Sequence, residues 1–367
     1  MGERVMGAEA AYANRNSGEA RARITSSPFD FAAQALLERY GFADCMLEPL
    51  CYSENHTYCV TRKNDERLAT VRICRPGYRN IDELQAEIAW LLKLHVEVEL
   101  ESVELISPLQ AEDGSYVQTV LLPDGQTFHA VAFGYMGGLQ PDENDPVALR
   151  CLFRRLGTVA AALHARSGSL DQAHALMRPL WDCTTALGPC ATWGDWRAFP
   201  GLARQDICTL AQAESRVGQT MAAYGKPRDR FGLIHADMRL ANLLVEASGP
   251  YATLKLLDFD DCAYSWHLFD LAASLSFIES RPDLPLLVSS WLEGYRAASA
   301  AGMVRPLLAK DVAVIPSLVM MRRLQLTGWL STRPDSAPAS SMSPTWRDDT
   351  VSMALRYLSG NFLVTEE

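Results

Sequence analysis

His235, Asp237 and Asn242 fall within eight residues, His-Ala-Asp-Met-Arg-Leu-Ala-Asn, and Asp258 follows in the run Leu256-Leu257-Asp258-Phe259-Asp260-Asp261. Asp237 and Asn242 are close enough in sequence for one short loop to aim both at neighbouring points. Asp258 ends a strand-like run, Thr253 to Leu257, and can face them from the far side of a hairpin. One amide and two carboxylates in this order suit phosphoryl transfer. A nucleotide-bound Mg²⁺ takes oxygen ligands, keeps several waters and needs only one or two protein carboxylates. A reacting hydroxyl needs an acceptor for its proton within hydrogen-bond reach. Asp237 fits the second task, and Asn242 and Asp258 fit the first.

The pattern H-x-D-x-x-x-x-N followed by an Asp at a strand end resembles the kinase-like phosphotransferases. That group holds aminoglycoside phosphotransferases, choline kinases, homoserine and hydroxylysine kinases and the bacterial stress-response Ser/Thr kinase. Leu233-Ile234-His235-Ala236-Asp237 and Leu257-Asp258-Phe259-Asp260-Asp261 are most similar to the branch with the stress-response kinase and the amino-alcohol kinases. Ordinary protein kinases carry Arg between His and Asp, and a D-F-G triplet; Ala236 and D-F-D stand here instead. The resemblance implies an α+β, two-lobed protein-kinase-like fold, with a small antiparallel-sheet N-lobe, a larger mainly helical C-lobe, and ATP with Mg²⁺ in the cleft. It further implies that Asp237 is catalytic, that Asn242 and Asp258 hold the metal, and that His235 and Asp270 support the loop. Asp270, in Trp266-His267-Leu268-Phe269-Asp270, matches the family's acceptor of catalytic-loop backbone hydrogen bonds.

Composition sets the bounds. A chain of 367 residues is long enough for two lobes, each with a core. A formal charge of −10 argues against nucleic acid as the main partner, because a phosphate backbone needs a basic surface. It suits a cationic substrate, although solubility alone explains an acidic surface equally well. Nine cysteines lie scattered with no C-x-x-C, a poor disulfide framework or zinc site and a pattern that points to a reducing cytoplasm. The first 25 residues lack the apolar stretch of a signal peptide and read as a mobile tail. No apolar run reaches spanning length, so no membrane segment is expected.

The elements that must position the motif can be read around it. Asp30 is expected to cap a helix from Phe31 to Tyr40. Strands are expected over Cys45–Cys51, Thr57–Arg62, Arg67–Cys74, Val103–Ser107, Ser115–Leu122 and Thr127–Phe133, with one helix, Asn80 to His95, packed on the sheet. Ala69, Val71 and Ile73 point one way and Arg72 the other. Glu87 lies inside the helix's apolar stripe of Leu84, Ile88 and Leu91, where a carboxylate is costly unless paired. Arg72 is its natural partner. The pair resembles the strand-Lys to helix-Glu ion pair that holds nucleotide phosphates in kinases, with Arg in place of Lys, and a planar fork suits phosphate. By the same resemblance the turn Tyr52–His56 covers the phosphates. It has no glycine, so contact would run through backbone N–H groups and the Ser53 and Asn55 side chains; taken alone it is a polar hairpin turn. Phe133-Gly134-Tyr135-Met136-Gly137-Gly138 falls where the family's interlobe linker meets adenine, which assigns Phe133 and Tyr135 to the nucleotide, although glycines also suit a plain flexible connection.

In the second half a helix runs from Pro146 to about Arg166, with a core stripe and a structural His164. Pro179 to Pro200 reads as a loop whose Trp193 and Trp196, with nearby carboxylates, suit either a wall for a substrate amine or a plug for the lobe. Asp260 and Asp261 are assigned to a cationic substrate or a second ion. Helical runs follow over Leu284–Ala298, Ala309–Trp329 and Asp348–Ser359, with a loop over Ser331–Pro344. The expected units are a tail over 1–25, a nucleotide-binding N-lobe over 26–134 and a catalytic and substrate-binding C-lobe over 135–367. The expected activity is ATP-dependent phosphorylation of a small, cationic, hydroxyl-bearing acceptor, an amino alcohol or aminoglycoside-like molecule, in the cytoplasm. A stress-response type Ser/Thr protein kinase and a non-catalytic nucleotide-binding pseudokinase are the alternatives.

Overall fold

The computed structural model describes residues 27–52, 55–168, 177–246, 252–333 and 345–363. The expected tail, Ser53 and most of the loop before Pro344 lie outside them.

Five antiparallel strands form the N-lobe sheet: β1 (Met46–Tyr52), β2 (Asn55–Thr61), β3 (Arg67–Cys74), β5 (Val117–Leu121) and β6 (Thr127–Gly134), in the order β1-β2-β3-β6-β5. Strand alternation gives the sheet two different faces. Ala69, Val71 and Ile73 pack into one cluster with Ala32, Leu36 and Leu37 of helix α1 (Pro28–Arg39). Cys74 and Phe133 turn to the other side, into a cluster with Leu84, Ile88 and Leu91 of helix α2 (Ile81–Glu97). Register puts Arg72 opposite Thr57 on one neighbour and Val131 on the other, in the sheet's central strand.

Two sequence expectations are corrected here. Ser27, not Asp30, caps α1; Asp30 is the third helical residue, completes the capping box and accepts from Tyr58 Oη at 2.8 Å. The short strand β4 (Val103–Leu105) does not join the N-lobe sheet. It runs parallel to β9 (Leu254–Leu256), which pairs with β8 (Leu243–Val245).

The second lobe is mainly helical: α3 (Pro146–Ala165), α4 (Cys183–Leu187), α5 (Arg204–Tyr224), α6 (Phe269–Ser274), α7 (Leu284–Ala300), α8 (Ala309–Ala313), α9 (Ile315–Ser331) and α10 (Trp346–Ser359). Two strands, β7 (Phe231–Ile234) and β10 (Ala263–Trp266), pair antiparallel and bracket the motif. Helices α3 and α7 cross with almost no gap. A Cβ on Gly157 would sit 1.9 Å from the Trp291 carbonyl oxygen, and one on Gly294 1.8 Å from that of Arg154. Only hydrogen fits at either position, and the contact anchors the helix that carries His164. Helix α9 is the centre of the lobe. It is buried along almost its whole length, including Arg322, Arg323 and Gln325. No helix among the described residues is long and apolar enough to cross a membrane, and the eight cysteines whose side chains are described, all but Cys51, carry free thiols.

Candidate active site

The motif loop follows β7, and a carboxylate beneath it sets its shape. Asp270, at the start of α6 and fully buried, accepts from the backbone N–H of Ala236 at 2.6 Å and of His235 at 3.3 Å. Ala236 is left-handed, at φ +67°, a conformation that costs about 1–3 kcal/mol for a residue other than glycine. The short bond to Asp270 offsets that cost. Asp270 is steadied in turn by His164 Nε2 at 3.1 Å, whose ring stacks on His267 with centroids 4.6 Å apart. Burial and the neighbouring His164 hold the His267 imidazole well below its usual range, so the stack carries a neutral ring.

His235 joins the two halves of the motif. Its Nε2 lies 2.9 Å from the Leu257 carbonyl, next to Asp258, while its Nδ1 accepts from the Asp237 backbone N–H at 3.3 Å. Those partners fix the tautomer with the proton on Nε2. A second tie runs from the Leu257 N–H to the Asn242 carbonyl at 2.9 Å. The loop bearing Asp237 and Asn242 is thus fastened on both sides to the strand end that presents Asp258.

Asn242 donates through Nδ2 to the Asp237 carbonyl at 2.9 Å and to Asp237 Oδ2 at 2.8 Å, which leaves the amide oxygen as the atom suited to a hard cation. Asp258 is also left-handed, at φ +52°, and 47% of its side chain is exposed. Desolvation in the cleft, with the charges of Asp260, Asp237 and Glu87, pushes its carboxyl up to about 6 against the pull of Arg72. A carboxylate crowded by like charge in this way is relieved by a bound cation, and this donor set fits Mg²⁺.

Arg72 and Glu87 form the expected pair at 2.6 Å, with Glu87 fully buried. Burial works against the Arg72 charge, and Glu87 and Asp260 outweigh it. The guanidinium also lies 3.5 Å from Asp258 and packs over Phe133 at 5.3 Å from the ring centre. Phe133 and Tyr135 flank the interlobe linker; Tyr135 donates its N–H to the Leu68 carbonyl, and its hydroxyl accepts from Arg67.

Asp260, Asp261 and Asn55 have a different occupation from the one expected. Asn55 Nδ2 donates to Asp260 Oδ2 at 2.8 Å, Arg79 Nε lies 3.4 Å from Asp260 Oδ1, and Arg79 Nη2 lies 2.8 Å from Asp261. Tyr78 donates to Asp261 at 3.0 Å, and Arg178 donates to the Asp260 carbonyl. The cation assigned to these carboxylates is supplied by the protein, and together they latch the N-lobe turns to the second lobe. Burial opposes the charge of Asp260, but Arg72, Arg79 and Asn55 hold it down; burial and Asp260 itself push Asp261 up. Trp196 is likewise a plug and not a wall. It is 1% exposed, its Nε1 donates to Glu214 at 3.0 Å and Arg197 covers its face. Trp193 does reach the site, with its ring 5.0 Å from the Arg322 guanidinium.

Arg322 is the residue that sequence reasoning missed. It is 1% exposed, on α9, and one guanidinium nitrogen contacts Asp237 Oδ1 directly. Arg239 Nε lies 3.2 Å from Asp237 Oδ2. Burial disfavours the Asp237 charge, but Arg322, then Arg239, hold its carboxyl below the usual range. The available signal was an Arg pair inside an apolar helical run, since buried charges need partners.

Residues 53–306 match the family described as "Phosphotransferase enzyme family". Amicoumacin kinase of Bacillus subtilis (strain 168) is 24% identical over 248 residues, 67% of each chain. The structure of a microcompartment-associated aminopropanol kinase aligns at 33% identity with a TM-score of 0.78, over 91% of this chain and 99% of that one. Amicoumacin kinase hAmiN, in complex with AMP-PNP, Ca²⁺ and Ami, shares the fold at 18% identity and a TM-score of 0.65, over 92% and 95% of the two chains. With its two-lobed kinase-like architecture, the chain belongs to the phosphotransferase enzyme family and is an ATP- and Mg²⁺-dependent kinase that phosphorylates a small-molecule hydroxyl.

Proposed function

We propose that the acceptor is a small amino alcohol. Asp237 receives the proton of the reacting hydroxyl, Asn242 and Asp258 are the Mg²⁺ ligands, and Arg72, braced by Glu87, clamps the nucleotide phosphates. The observation that carries the reading is the junction of Asp237, Asn242 and Asp258 through the His235–Leu257 and Leu257–Asn242 bonds, with Arg72 3.5 Å from Asp258. Three oxygen-bearing groups and one guanidinium are held there before any ligand arrives. Such preorganisation is the main source of rate in phosphoryl transfer, where placement and electrostatics dominate. Bound Mg²⁺ would supply neutralisation of phosphate charge. The amino-alcohol acceptor is supported by the 33% identity with an aminopropanol kinase along 91% of the chain.

The test is ATP consumption with amino alcohols, aminoglycosides and a generic protein as acceptors, for wild type and Asp237→Asn. Amino alcohols are expected to be turned over and the protein not. The variant should lose roughly 10³-fold in kcat, as removal of a proton acceptor does, while Mg-ATP affinity stays within about threefold. Turnover of the protein alone, or a variant near wild-type rate, sinks the reading.

A further inference from the structure

In this structure every oxygen of the proton acceptor is engaged. Asp237 Oδ1 is held by Arg322, and Oδ2 takes Asn242 Nδ2 at 2.8 Å and Arg239 Nε at 3.2 Å. Asn242 is fixed by its second bond to the Asp237 carbonyl, and a carboxylate oxygen offers two lone pairs, so an incoming hydroxyl shares Oδ1 with Arg322 or takes its place. Either way Arg322 stays. Its Nε donates to Ser276 Oγ at 2.9 Å, its Nη1 to Gln325 Oε1 at 3.2 Å, and its face lies against Trp193. None of these contacts involves Asp237. The guanidinium therefore stays in a buried place beside the reacting oxygen. Arginine has five N–H donors and no acceptor, and an unmet buried donor is costly, so an oxygen on the acceptor is the group that suits it.

We propose that Arg322 is the specificity-determining residue of the acceptor site and that the preferred acceptor carries a carboxylate on the carbon that bears the reacting hydroxyl. A carboxylate matches the planar fork of a guanidinium, and Arg239 adds a second positive charge on the same side. An ammonium group in that position would meet two like charges, which discriminates against it. The inference rests on the amino-alcohol reading for the ammonium and deepens it to hydroxy amino acids.

Two isomers of equal charge separate the possibilities. In 4-amino-2-hydroxybutanoate the carboxylate is on the carbinol carbon and the ammonium two carbons away; in 4-amino-3-hydroxybutanoate the ammonium is next to the carbinol carbon. Wild type is expected to favour the first by tenfold or more in kcat/KM, and to favour it over 1-amino-2-propanol. Arg322→Gln should bring the isomer ratio to within about twofold with the KM for ATP unchanged, a selective effect that a merely structural role would not produce. Arg322→Lys keeps the charge without the fork, so it should retain part of the preference even if the Gln variant folds poorly. A wild-type ratio near one, or a ratio untouched in both variants, overturns the inference. If 1-amino-2-propanol is the better acceptor, the inference falls and the proposed function stands. If only an amine-free 2-hydroxy acid such as 2-hydroxybutanoate is phosphorylated, the proposed function falls and the role of Arg322 stands. If none of these compounds is phosphorylated, both fall.

Discussion

Glu87→Gln tests the electrostatics of the nucleotide half at constant volume. Glu87 is fully buried, its Oε2 is 2.6 Å from Arg72 Nη2, and its Oε1 has no hydrogen-bond partner. At an effective dielectric of about 20, two unit charges 2.6 Å apart attract by about 6 kcal/mol. Desolvation cancels much of that, and removing one member of a buried pair typically costs about 3–5 kcal/mol because the other charge is left behind. Here the remaining charge has somewhere to turn. Asp258 lies 3.5 Å from Arg72 and Asp260 lies 4.0 Å away. The variant's global stability should therefore fall by less, about 2 kcal/mol, and the larger effect should appear in nucleotide binding. An Arg72 drawn onto Asp258 competes with the cation for that carboxylate and no longer stands where phosphates need it. We expect kcat/KM for Mg-ATP to fall about 10²-fold, roughly 2.7 kcal/mol at 1.36 kcal/mol per decade, mostly through KM, with partial recovery at high Mg²⁺. The assay is initial rate against Mg-ATP at several free Mg²⁺ concentrations, with thermal melts as the control for folding. A folded variant whose Mg-ATP KM stays within twofold of wild type would refute the bracing role of Glu87.

Away from the cleft, Asp311 accepts from Arg305 at 2.7 and 2.8 Å, from Tyr224 Oη at 2.6 Å and from the Leu308 N–H at 2.6 Å. Burial opposes its charge, but these donors hold the carboxyl well below the usual range. A depressed folded pKa stabilises the fold above the unfolded carboxyl pKa of about 4, and the benefit is lost as pH falls through the folded value. Asp311→Asn should therefore cost about 3 kcal/mol at pH 7, with the difference from wild type shrinking below pH 4; equal urea midpoints at pH 7 would exclude it. Gly157→Ala should destabilise by at least about 2 kcal/mol, because its Cβ would lie 1.9 Å from the Trp291 carbonyl oxygen. The helical propensity of alanine works the other way by about 1 kcal/mol, so a variant that melts above wild type would show that α3 and α7 do not meet as closely as described.

What was legible in the sequence was what chemistry or burial forces to be local. The spacing of Asp237, Asn242 and Asp258 is set by one loop and one hairpin, so it can be read without the fold. Glu87 betrayed its partner because a carboxylate inside an apolar stripe is expensive and Arg72 stood in the middle of the preceding strand. What stayed hidden depends on partners remote in sequence. Arg322 meets Asp237 across 85 residues, and nothing beside it names its partner. Strand β4 reads like its neighbours, yet it pairs with Leu254–Leu256 from the other lobe. Helix α5 went unseen because its buried stripe is thin, carried by Thr209, Leu210, Ala213, Val217 and Met221 along Arg204–Tyr224. Asp260 and Asp261 were assigned to a cationic substrate or a second ion because their partner Arg79 lies 181 and 182 positions away in the chain.

These hidden contacts bear on why Asp258 is the carboxylate proposed for the metal. Five carboxylates, Glu87, Asp237, Asp258, Asp260 and Asp261, share the cleft with five guanidiniums, Arg72, Arg79, Arg178, Arg239 and Arg322. Four of the acids have a close guanidinium contact in this structure: Glu87 holds Arg72, Asp237 holds Arg322 and Arg239, and Asp260 and Asp261 divide Arg79. Asp258 has only the second-best attention of Arg72, at 3.5 Å against 2.6 Å for Glu87. Burial first, then the charges of Asp260, Asp237 and Glu87, push its carboxyl up against Arg72, while Arg322 and Arg239 hold that of Asp237, 21 positions earlier, down. On the proposed assignment the different surroundings suit the two aspartates to different work: the one held by arginines stays ionised for the acceptor's proton, and the one with less positive charge near it is left for the divalent cation.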